Sequence, residues 1–579
     1  MTPRLAPFGV CLSLLLVLAA AQDKVAAPAA PPKPDAGDQA KPPERETPPE
    51  IKAFNEANKI TDPAKKIEAL EKLKKDFPDS GANMADTAIF NTLTSKMPEQ
   101  IVRIRETAKA MYKAAEAKDK KDAAEKHTLL TSNRRASTAQ SIASSLLSAN
   151  ILLNDAESWA KKSIDSMKLP LYLAEQREAY TERKQNIPSE EDLTRRFRQS
   201  RASRVATLGQ IELKLGRTAQ AKKLLTEAYE VNRDNTGVVS ALGEIAFKEG
   251  DDTKALDYLM TAKLSGRITP SADTAFESAY RQSHNGSLEG LEAVLDTEYN
   301  TRFPNPVHPA AYLPTEKRTD RVVLAEIFTG SGCPPCVAAD LAFDAAMQRY
   351  GHKELAVVMY HQHIPRPDPM TNPDTLSRAK DYGVTAVPTY LIDGSKTVGG
   401  GSRDATPRKF ESIEKDIDKE LETASEARLK VAAALAGNTV KVAANVTDVN
   451  SDSKDLKVRI LLLEKELRYT GENGVRFHPM VVRAMGGEKA EGYPIESDHA
   501  SLEAAFDLDA ISKSLKAHLD DYEAKGHRGE AFKFREKKYQ IDRADLAVVV
   551  FVQDDRTKRV LQAAYVDLGT PAGAASEAQ

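Results

Sequence analysis

The pair Cys333 and Cys336 constrains the fold of this chain more than any other feature, because it lies where a strand passes into a helix. Residues 321–329 (RVVLAEIFT) are an apolar run typical of a buried strand, and residues 336–350 (CVAADLAFDAAMQRY) have apolar positions at helical spacing. The sequence has three cysteines, and the third, Cys11, lies in an apolar leader. A strand, a turn with both thiols and a helix predict an α/β fold around the pair.

The α/β pattern continues to about residue 425. Residues 355–360 (LAVVMY) predict a second buried strand and residues 376–382 a helix. Two short strands, a turn and a closing helix are then predicted at 389–392, 396–398, Asp393-Gly394 and 410–421. We therefore expect a mixed sheet with helices over residues 310–425.

The region before it, residues 51–300, predicts helices, since it is rich in Ala, Leu, Lys and Glu with apolar residues three and four apart. A pattern repeats after 34 residues and is clearest over 202–269: Leu208-Gly209, Ala221, Leu225 and Ala228 recur as Leu242-Gly243, Ala255, Leu259 and Ala262. This pattern resembles the tetratricopeptide repeat family. The resemblance implies stacked antiparallel helix pairs with a groove for an unknown protein or peptide, and a helical spacer is the alternative.

Residues 426–568 predict a third, mostly β domain. Alternating and continuous apolar runs indicate two strands around Gly437-Asn438, a third near 456–467 and a final hairpin that turns at Asp554-Asp555. We expect an antiparallel, sandwich-like arrangement interrupted by a helical insertion at about 502–522.

The two ends of the chain predict an exported protein. Arg4, the apolar run 8–21 and the Ala19-Ala20-Ala21 site predict a signal peptide over 1–21, with an uncleaved anchor as the alternative. A Pro- and Ala-rich linker (22–50) and a tail (569–579) are predicted to be disordered. No later segment is apolar enough to span a bilayer, so we expect no membrane span after cleavage and a location in the bacterial periplasm or outside the cell. The formal net charge of −3 argues against a nucleic-acid partner.

The position of the thiols predicts their chemistry. At a helix N-terminus, unpaired N–H groups and the helix dipole stabilise the thiolate of Cys333, which is the attacking species. Cys336 then lies one turn further along, where it can attack a mixed disulfide on Cys333 and release the partner. Pro335 fits the first helical turn, because its missing N–H would have been unpaired there.

Residues 310–425 resemble the thioredoxin superfamily, through Cys333-Pro334-Pro335-Cys336 after a strand and Val387-Pro388-Thr389 before the hairpin. The run 328–333 (FTGSGC) is similar to secreted thioredoxin-like proteins. The resemblance implies a thioredoxin fold and an enzyme, a thiol–disulfide oxidoreductase whose partners are protein thiols and disulfides. It implies no cofactor beyond the redox-active disulfide, Cys333 as nucleophile, Cys336 as resolving thiol, and a substrate-binding segment of Val387, Pro388 (in cis) and Thr389.

Two positions depart from that family. Gly332 replaces the aromatic residue before the first cysteine, and Ile327 replaces the buried acid six positions before it. Glu326 is adjacent, but strand alternation turns it to the opposite face. The proton acceptor for the resolving thiol is therefore not assigned by the sequence. The glycines 399–401 after the hairpin would let a partner backbone approach.

Other readings of the same residues remain open. Cys333, Cys336, His361 and His363 would suit Zn(II) or copper in a metal carrier. The disulfide could be purely structural, although so short a loop contributes little stability. The helical region could make the protein an interaction scaffold in which the thiol domain is a binding module or redox latch. His478 and Arg483 are expected to be β-face residues without a catalytic role.

Overall fold

The computed structural model describes residues 47–78, 82–124, 131–487 and 491–569. The predicted signal peptide, linker residues 22–46 and tail residues 570–579 lie outside the described residues. Within the described part of the chain, no helix has both the length and the apolarity needed to cross a membrane.

The N-terminal half is helical, as predicted, and its first helix starts just before the predicted boundary at 51. The bounds are α1 Pro49–Lys59, α2 Pro63–Asp76, α3 Ala82–Lys96, α4 Ile101–Ala124, α5 Thr131–Ala149, α6 Leu153–Asp165, α7 Leu169–Glu182, α8 Glu190–Lys214, α9 Thr218–Val231, α10 Thr236–Lys248, α11 Asp252–Leu264, α12 Pro270–Ser283 and α13 Leu291–Arg302.

The 34-residue repeat corresponds to a repeated contact between helices. Gly209 of α8 lies against Leu225 of α9, and a Cβ on this glycine would come 2.9 Å from the leucine Cγ. Gly243 of α10 lies in the same way against Leu259 of α11, with the equivalent distance 2.4 Å. All four helices bury their repeat residues, so the small residues permit close packing within each helix pair.

The C-terminal half contains the strands and four further helices. Up to residue 421 the bounds are β1 Val323–Thr329, α14 Val337–Arg349, β2 Leu355–His361, α15 Pro373–Asp381, β3 Thr389–Ile392, β4 Ser395–Val398 and α16 Thr406–Leu421, close to the predicted elements. The remaining bounds are β5 Arg428–Ala436, β6 Thr439–Thr447, β7 Leu456–Arg468, β8 Phe477–Met485, β9 Tyr493–Pro494, β10 Ala500–Asp507, α17 Leu508–Lys525, β11 Leu546–Asp554 and β12 Val560–Asp567.

The strands form one large mixed sheet and one small sheet. The large sheet has the order β12-β11-β7-β8-β2-β1-β3-β4, with β9 paired to β7, and the small sheet has the order β10-β6-β5. β1 is parallel to β2 and antiparallel to β3, and β2 is parallel to β8. The large sheet curls, so that β12 at one end approaches the β3–β4 hairpin at the other. Val560 N of β12 donates to Asp393 O of the hairpin turn at 3.3 Å, and Arg321 Nη1 donates to Val560 O at 3.0 Å.

Side-chain alternation places the two faces of β1 in two different hydrophobic cores. Val323, Ala325 and Ile327 of β1 face α14 and α16, whereas Leu324 and Phe328 face the inside of the curled sheet. The opposite faces of β7 and β11 pack on the small sheet, which gives the predicted sandwich-like contact.

The C-terminal strands differ from the prediction in one respect. We expected a separate β domain, but β7, β8, β11 and β12 extend the sheet of the α/β unit, because parallel pairing of β8 with β2 joins the two halves at Met359 and Val481. The predicted helical insertion at 502–522 is also wrong at its start. Residues 500–507 form β10, whose side chains alternate in burial, and the helix begins at Leu508.

Candidate active site

Cys333 and Cys336 form a disulfide in the turn between β1 and α14, with their Cα atoms 5.4 Å apart. The turn is fixed locally: Cys333 N donates to Gly330 O at 3.0 Å. Pro334–Cys336 form one 3₁₀ turn, and α14 follows from Val337 with Cys336 as its N-cap residue. Cys333 thus precedes α14 by one turn, at the positive end of the helix dipole.

Both cysteines are buried from solvent, while the two prolines between them are exposed. Cys333 is 1% exposed and Cys336 is fully buried, whereas Pro334 and Pro335 are exposed. Cys333 Sγ lies 3.6 Å from Val387 O, and the Val387–Pro388 peptide is cis. The structure therefore places the predicted segment 387–389 directly beside the first sulfur.

The glycines after β4 contact the turn that carries the two cysteines, residues 330–336, which we call the thiol turn. Gly401 N donates to Pro335 O at 2.7 Å, and Ala338 N donates to Gly401 O at 3.1 Å. A Cβ on Gly400 would come 1.9 Å from Pro335 O and 2.6 Å from Pro388 Cγ. We expected these glycines to let a partner backbone approach, but it is the thiol turn of the same chain that packs against them. Gly400 lies between this turn and the 387–389 segment.

The loop after β2 supports the turn from the other side. Asp368 Oδ2 accepts from Ser331 N at 2.6 Å and from His361 Nδ1 at 2.9 Å, and Met370 N donates to Asp368 Oδ1 at 2.8 Å. Burial alone would raise the pKa of Asp368, but the charge interaction with His361 and these three N–H hydrogen bonds outweigh it and lower the pKa well below its usual range, so the carboxylate is charged although it is completely buried. His361 lies against His478, with ring centroids 5.2 Å apart, and His361 Nε2 is buried without a hydrogen-bond partner.

The two histidines considered as metal ligands, His361 and His363, both contact Asp368 and otherwise have different neighbours. His363 Nδ1 accepts from Asp368 N at 3.0 Å, and the ring stacks on Tyr522 of α17 with centroids 3.7 Å apart. Its Nε2 is 3.4 Å from His518 Nε2, so the neutral ring carries its proton there and faces α17. Among the residues that the structure describes, no three His, Cys, Asp or Glu side chains are grouped so as to hold a metal ion.

An acid that the sequence analysis did not identify lies beneath the turn. Asp340 of α14 is 6% exposed, and its Oδ1 accepts from Thr329 Oγ1 at 2.7 Å at the end of β1. Burial raises the pKa of Asp340 to about 7, an effect opposed by the Thr329 hydrogen bond. One carboxyl group in this buried region therefore titrates near neutral pH.

Glu326 faces away from the thiols, as strand alternation predicted. It accepts from Arg378 at 2.8–3.0 Å and from Tyr360 Oη at 2.9 Å, and Gln553 of β11 also bonds to Arg378. All of these groups are buried. Glu326 therefore ties α15 and β11 to β1 instead of serving the disulfide.

Two residues from the C-terminal strands and their connection also contact this region. His478, to which we gave no role, contacts His361 and donates from Nε2 to Tyr469 O at 2.8 Å, and burial lowers its pKa to about 3. Asn473 N donates to Ser331 O at 2.9 Å. Arg483, in contrast, pairs with Glu464 on β7 at 2.9 Å, as expected of a β-face residue. Only contacts across more than 100 residues bring Asn473 and His478 to the turn.

Comparisons with known proteins add no relative. The chain matches no profile of a known protein family, and no curated protein is similar to it in sequence.

Proposed function

We propose that this protein is an exported thiol–disulfide oxidoreductase that exchanges disulfides with protein substrates of the bacterial cell envelope. The observation that carries the proposal is the position of the Cys333–Cys336 disulfide. It lies one turn before a helix, beside the Val387 carbonyl and behind the exposed Pro334 and Pro335. A disulfide between residues this close in sequence closes a very short loop, so it removes little chain entropy and would stabilise the fold little as a purely structural crosslink.

The geometry fits a two-step exchange. The thiolate of reduced Cys333 attacks a substrate disulfide, and a mixed disulfide forms while one substrate thiolate leaves. Cys336 then attacks Cys333 Sγ, which forms the internal disulfide and releases the second substrate thiolate. In the reduced protein the Cys333 thiol can donate to Val387 O, and Val387, which is only half-buried, is the residue of this segment that a substrate chain can contact. The reaction uses the redox-active disulfide and needs no dissociable cofactor.

The order of elements supports the same proposal. A strand, the CPPC turn, α14, a parallel strand, the β3–β4 hairpin and α16 follow the pattern of the thioredoxin superfamily, which the motif resembles. The helix pairs α8–α9 and α10–α11 follow the tetratricopeptide-like repeat. We propose that they present the dithiol unit to its protein partners.

The test is disulfide exchange by the purified mature chain. We expect reduction of insulin, or refolding of a scrambled disulfide protein, to be lost in Cys333→Ser. Cys336→Ser should accumulate a mixed disulfide between Cys333 and the substrate. Gly351→Ala, at the far end of α14, serves as a control with both thiols intact. Activity that is unchanged in Cys333→Ser would rule the proposal out.

A second candidate function is an interaction scaffold, and one cleft favours it. The cleft has a volume of about 900 Å³ and lies between α1–α3 and residues 528–530. Phe54, Ile60 and Met84 line it together with amide and hydroxyl side chains. If this function dominates, envelope partners should bind equally to wild-type protein and Cys333→Ser, and Phe54→Ala should weaken binding.

A further inference from the structure

The thiol turn covers a buried polar cluster that a structural disulfide does not need. Thr329, Asp340, His361 and Asp368 are each at most 6% exposed, and they lie at the ends of β1 and β2, on α14 and in the loop after β2. Asp368 is saturated by three N–H groups, two of them from the backbone. Asp340, in contrast, accepts a single hydroxyl hydrogen bond, from Thr329. Its carboxyl group is therefore free to take up and return a proton.

Cys336 and Asp340 lie on the same face of α14. Cys336 has helical backbone angles (φ −69°, ψ −26°), so the two residues are separated by one regular helical turn. At this spacing their Cβ atoms are about 5–6 Å apart. Both side chains are buried against the sheet, since Cys336 is 0% exposed and Asp340 bonds to β1.

We propose that Asp340 is the proton acceptor and donor for Cys336, with Thr329 positioning its carboxylate. This inference rests on the proposed oxidoreductase function and assigns the group that controls its second step. The need for such a group follows from burial, because water has little access to a fully buried thiol. The sequence offered no acid at the expected strand position, where Ile327 stands.

The Asp340 carboxylate takes the proton from Cys336 Sγ, and the sulfur attacks Cys333 Sγ of the mixed disulfide. The Cys336–Cys333 bond forms, the bond from Cys333 to the substrate sulfur breaks, and its electron pair leaves on the substrate thiolate. In the opposite direction, protonated Asp340 returns the proton to Cys336 as the internal disulfide opens.

Three neighbours set the proton affinity of Asp340. Burial raises its pKa, the Thr329 hydroxyl and the His361 ring lower it, and the Asp368 carboxylate raises it, with a net value of about 7. The face of α16 that packs against α14 is apolar, with Phe410, Ile413 and Ile417. A base with this pKa is matched to a thiol that must ionise near neutral pH.

The experiment is single-turnover formation and resolution of the mixed disulfide across pH in the full mature chain. In Asp340→Asn we expect the first step to be unchanged and resolution at pH 7 to slow on the order of 10²-fold. The wild-type resolution rate should show an inflection near pH 7, where the carboxyl group of Asp340 titrates, and Asp340→Asn should lose this inflection. The control is Asp344→Asn, the same substitution one turn further along α14, which should resolve like the wild type.

Thr329→Val gives an independent readout if Asp340→Asn fails to fold. Loss of the hydroxyl removes a contact that lowers the pKa of Asp340, so the inflection in the resolution rate should move to higher pH. An unshifted profile in Thr329→Val, or resolution by Asp340→Asn that equals Asp344→Asn at every pH, would overturn the inference. A wild-type chain that forms no mixed disulfide would instead overturn the proposed function itself.

Discussion

Gly400→Ala should damage the thiol turn without touching either cysteine. The glycine has no room for a side chain, because an added Cβ would lie 1.9 Å from Pro335 O and 2.6 Å from Pro388 Cγ. Neither atom is the end of a flexible side chain. Since real Cβ contacts are essentially never shorter than 3.0 Å, the backbone must separate by about 1 Å.

The magnitude follows from what that separation breaks. Overpacking at a rigid site costs typically about 1–3 kcal/mol. Losing the hydrogen bond from Gly401 N to Pro335 O, now 2.7 Å, adds roughly 1 kcal/mol. We therefore expect a local destabilisation of roughly 2–4 kcal/mol. A displacement of about 1 Å between Cys333 and the Val387 carbonyl should lower the exchange rate on the order of 10²-fold.

The assay combines exchange kinetics with hydrogen exchange of the α14 amides. Tryptophan fluorescence would miss the change, because the single tryptophan, Trp159, lies in α6 of the helical half. The matched control is Gly351→Ala, where an added Cβ would meet within 4 Å only the mobile Oε2 of Glu354. If Gly400→Ala exchanges disulfides and protects α14 as well as Gly351→Ala does, the glycine does not hold the turn in place.

Two further predictions concern the support of the sheet and the loop after β2. Arg378→Met leaves Glu326 buried without its cation and should cost about 3–5 kcal/mol in urea unfolding monitored by far-UV circular dichroism, and adding Glu326→Leu should recover part of it. A cost below about 1 kcal/mol would contradict this. Burial lowers the pKa of His363 to about 4, so the unfolded chain takes up its proton first as the pH falls, and stability should drop by up to about 3 kcal/mol between pH 6.5 and 4. His363→Phe keeps the stacking on Tyr522 and should flatten this pH dependence of the unfolding free energy; an unchanged slope would show that other groups cause it.

The elements from β1 to α16 could be predicted closely because each is specified locally. Apolar runs fixed β1 and β2, and the Asp393-Gly394 pair, with φ angles of 44° and 88°, supplied the hairpin turn. The strand pairing that extends the α/β sheet into the C-terminal region could not be predicted in this way. Pairing of β8 with β2 depends on strands more than 100 residues apart, and nothing in either strand alone names its neighbour.

The two cysteines could be predicted because their spacing is a motif. Asp340 was missed because the acid was expected on β1, at the position that Ile327 occupies. A signal was nevertheless present. In the helix VAADLAFDAA, Asp340 is an acid flanked by apolar positions and four residues after Cys336. An ionisable group at such a position must be buried with a partner or lie on the helix edge. Asp368 carried no such signal, because it lies in a Pro-rich loop without periodicity.

The thiol turn is held by three segments that are distant in sequence, and two of them also contact the helical half, through Arg403 to Tyr299 and through Glu472 to Arg267. Asp368 holds Ser331 N, Gly401 holds Pro335 O, and Asn473 holds Ser331 O. The hairpin turn that carries Asn473 also contacts the α11–α12 connection, where Arg267 Nε donates to Glu472 O at 2.5 Å. We expect a displacement of α11 or α12 by a bound partner to shift Ser331, two residues before Cys333. The turn between β7 and β8 therefore contacts both the helical region and the thiol turn.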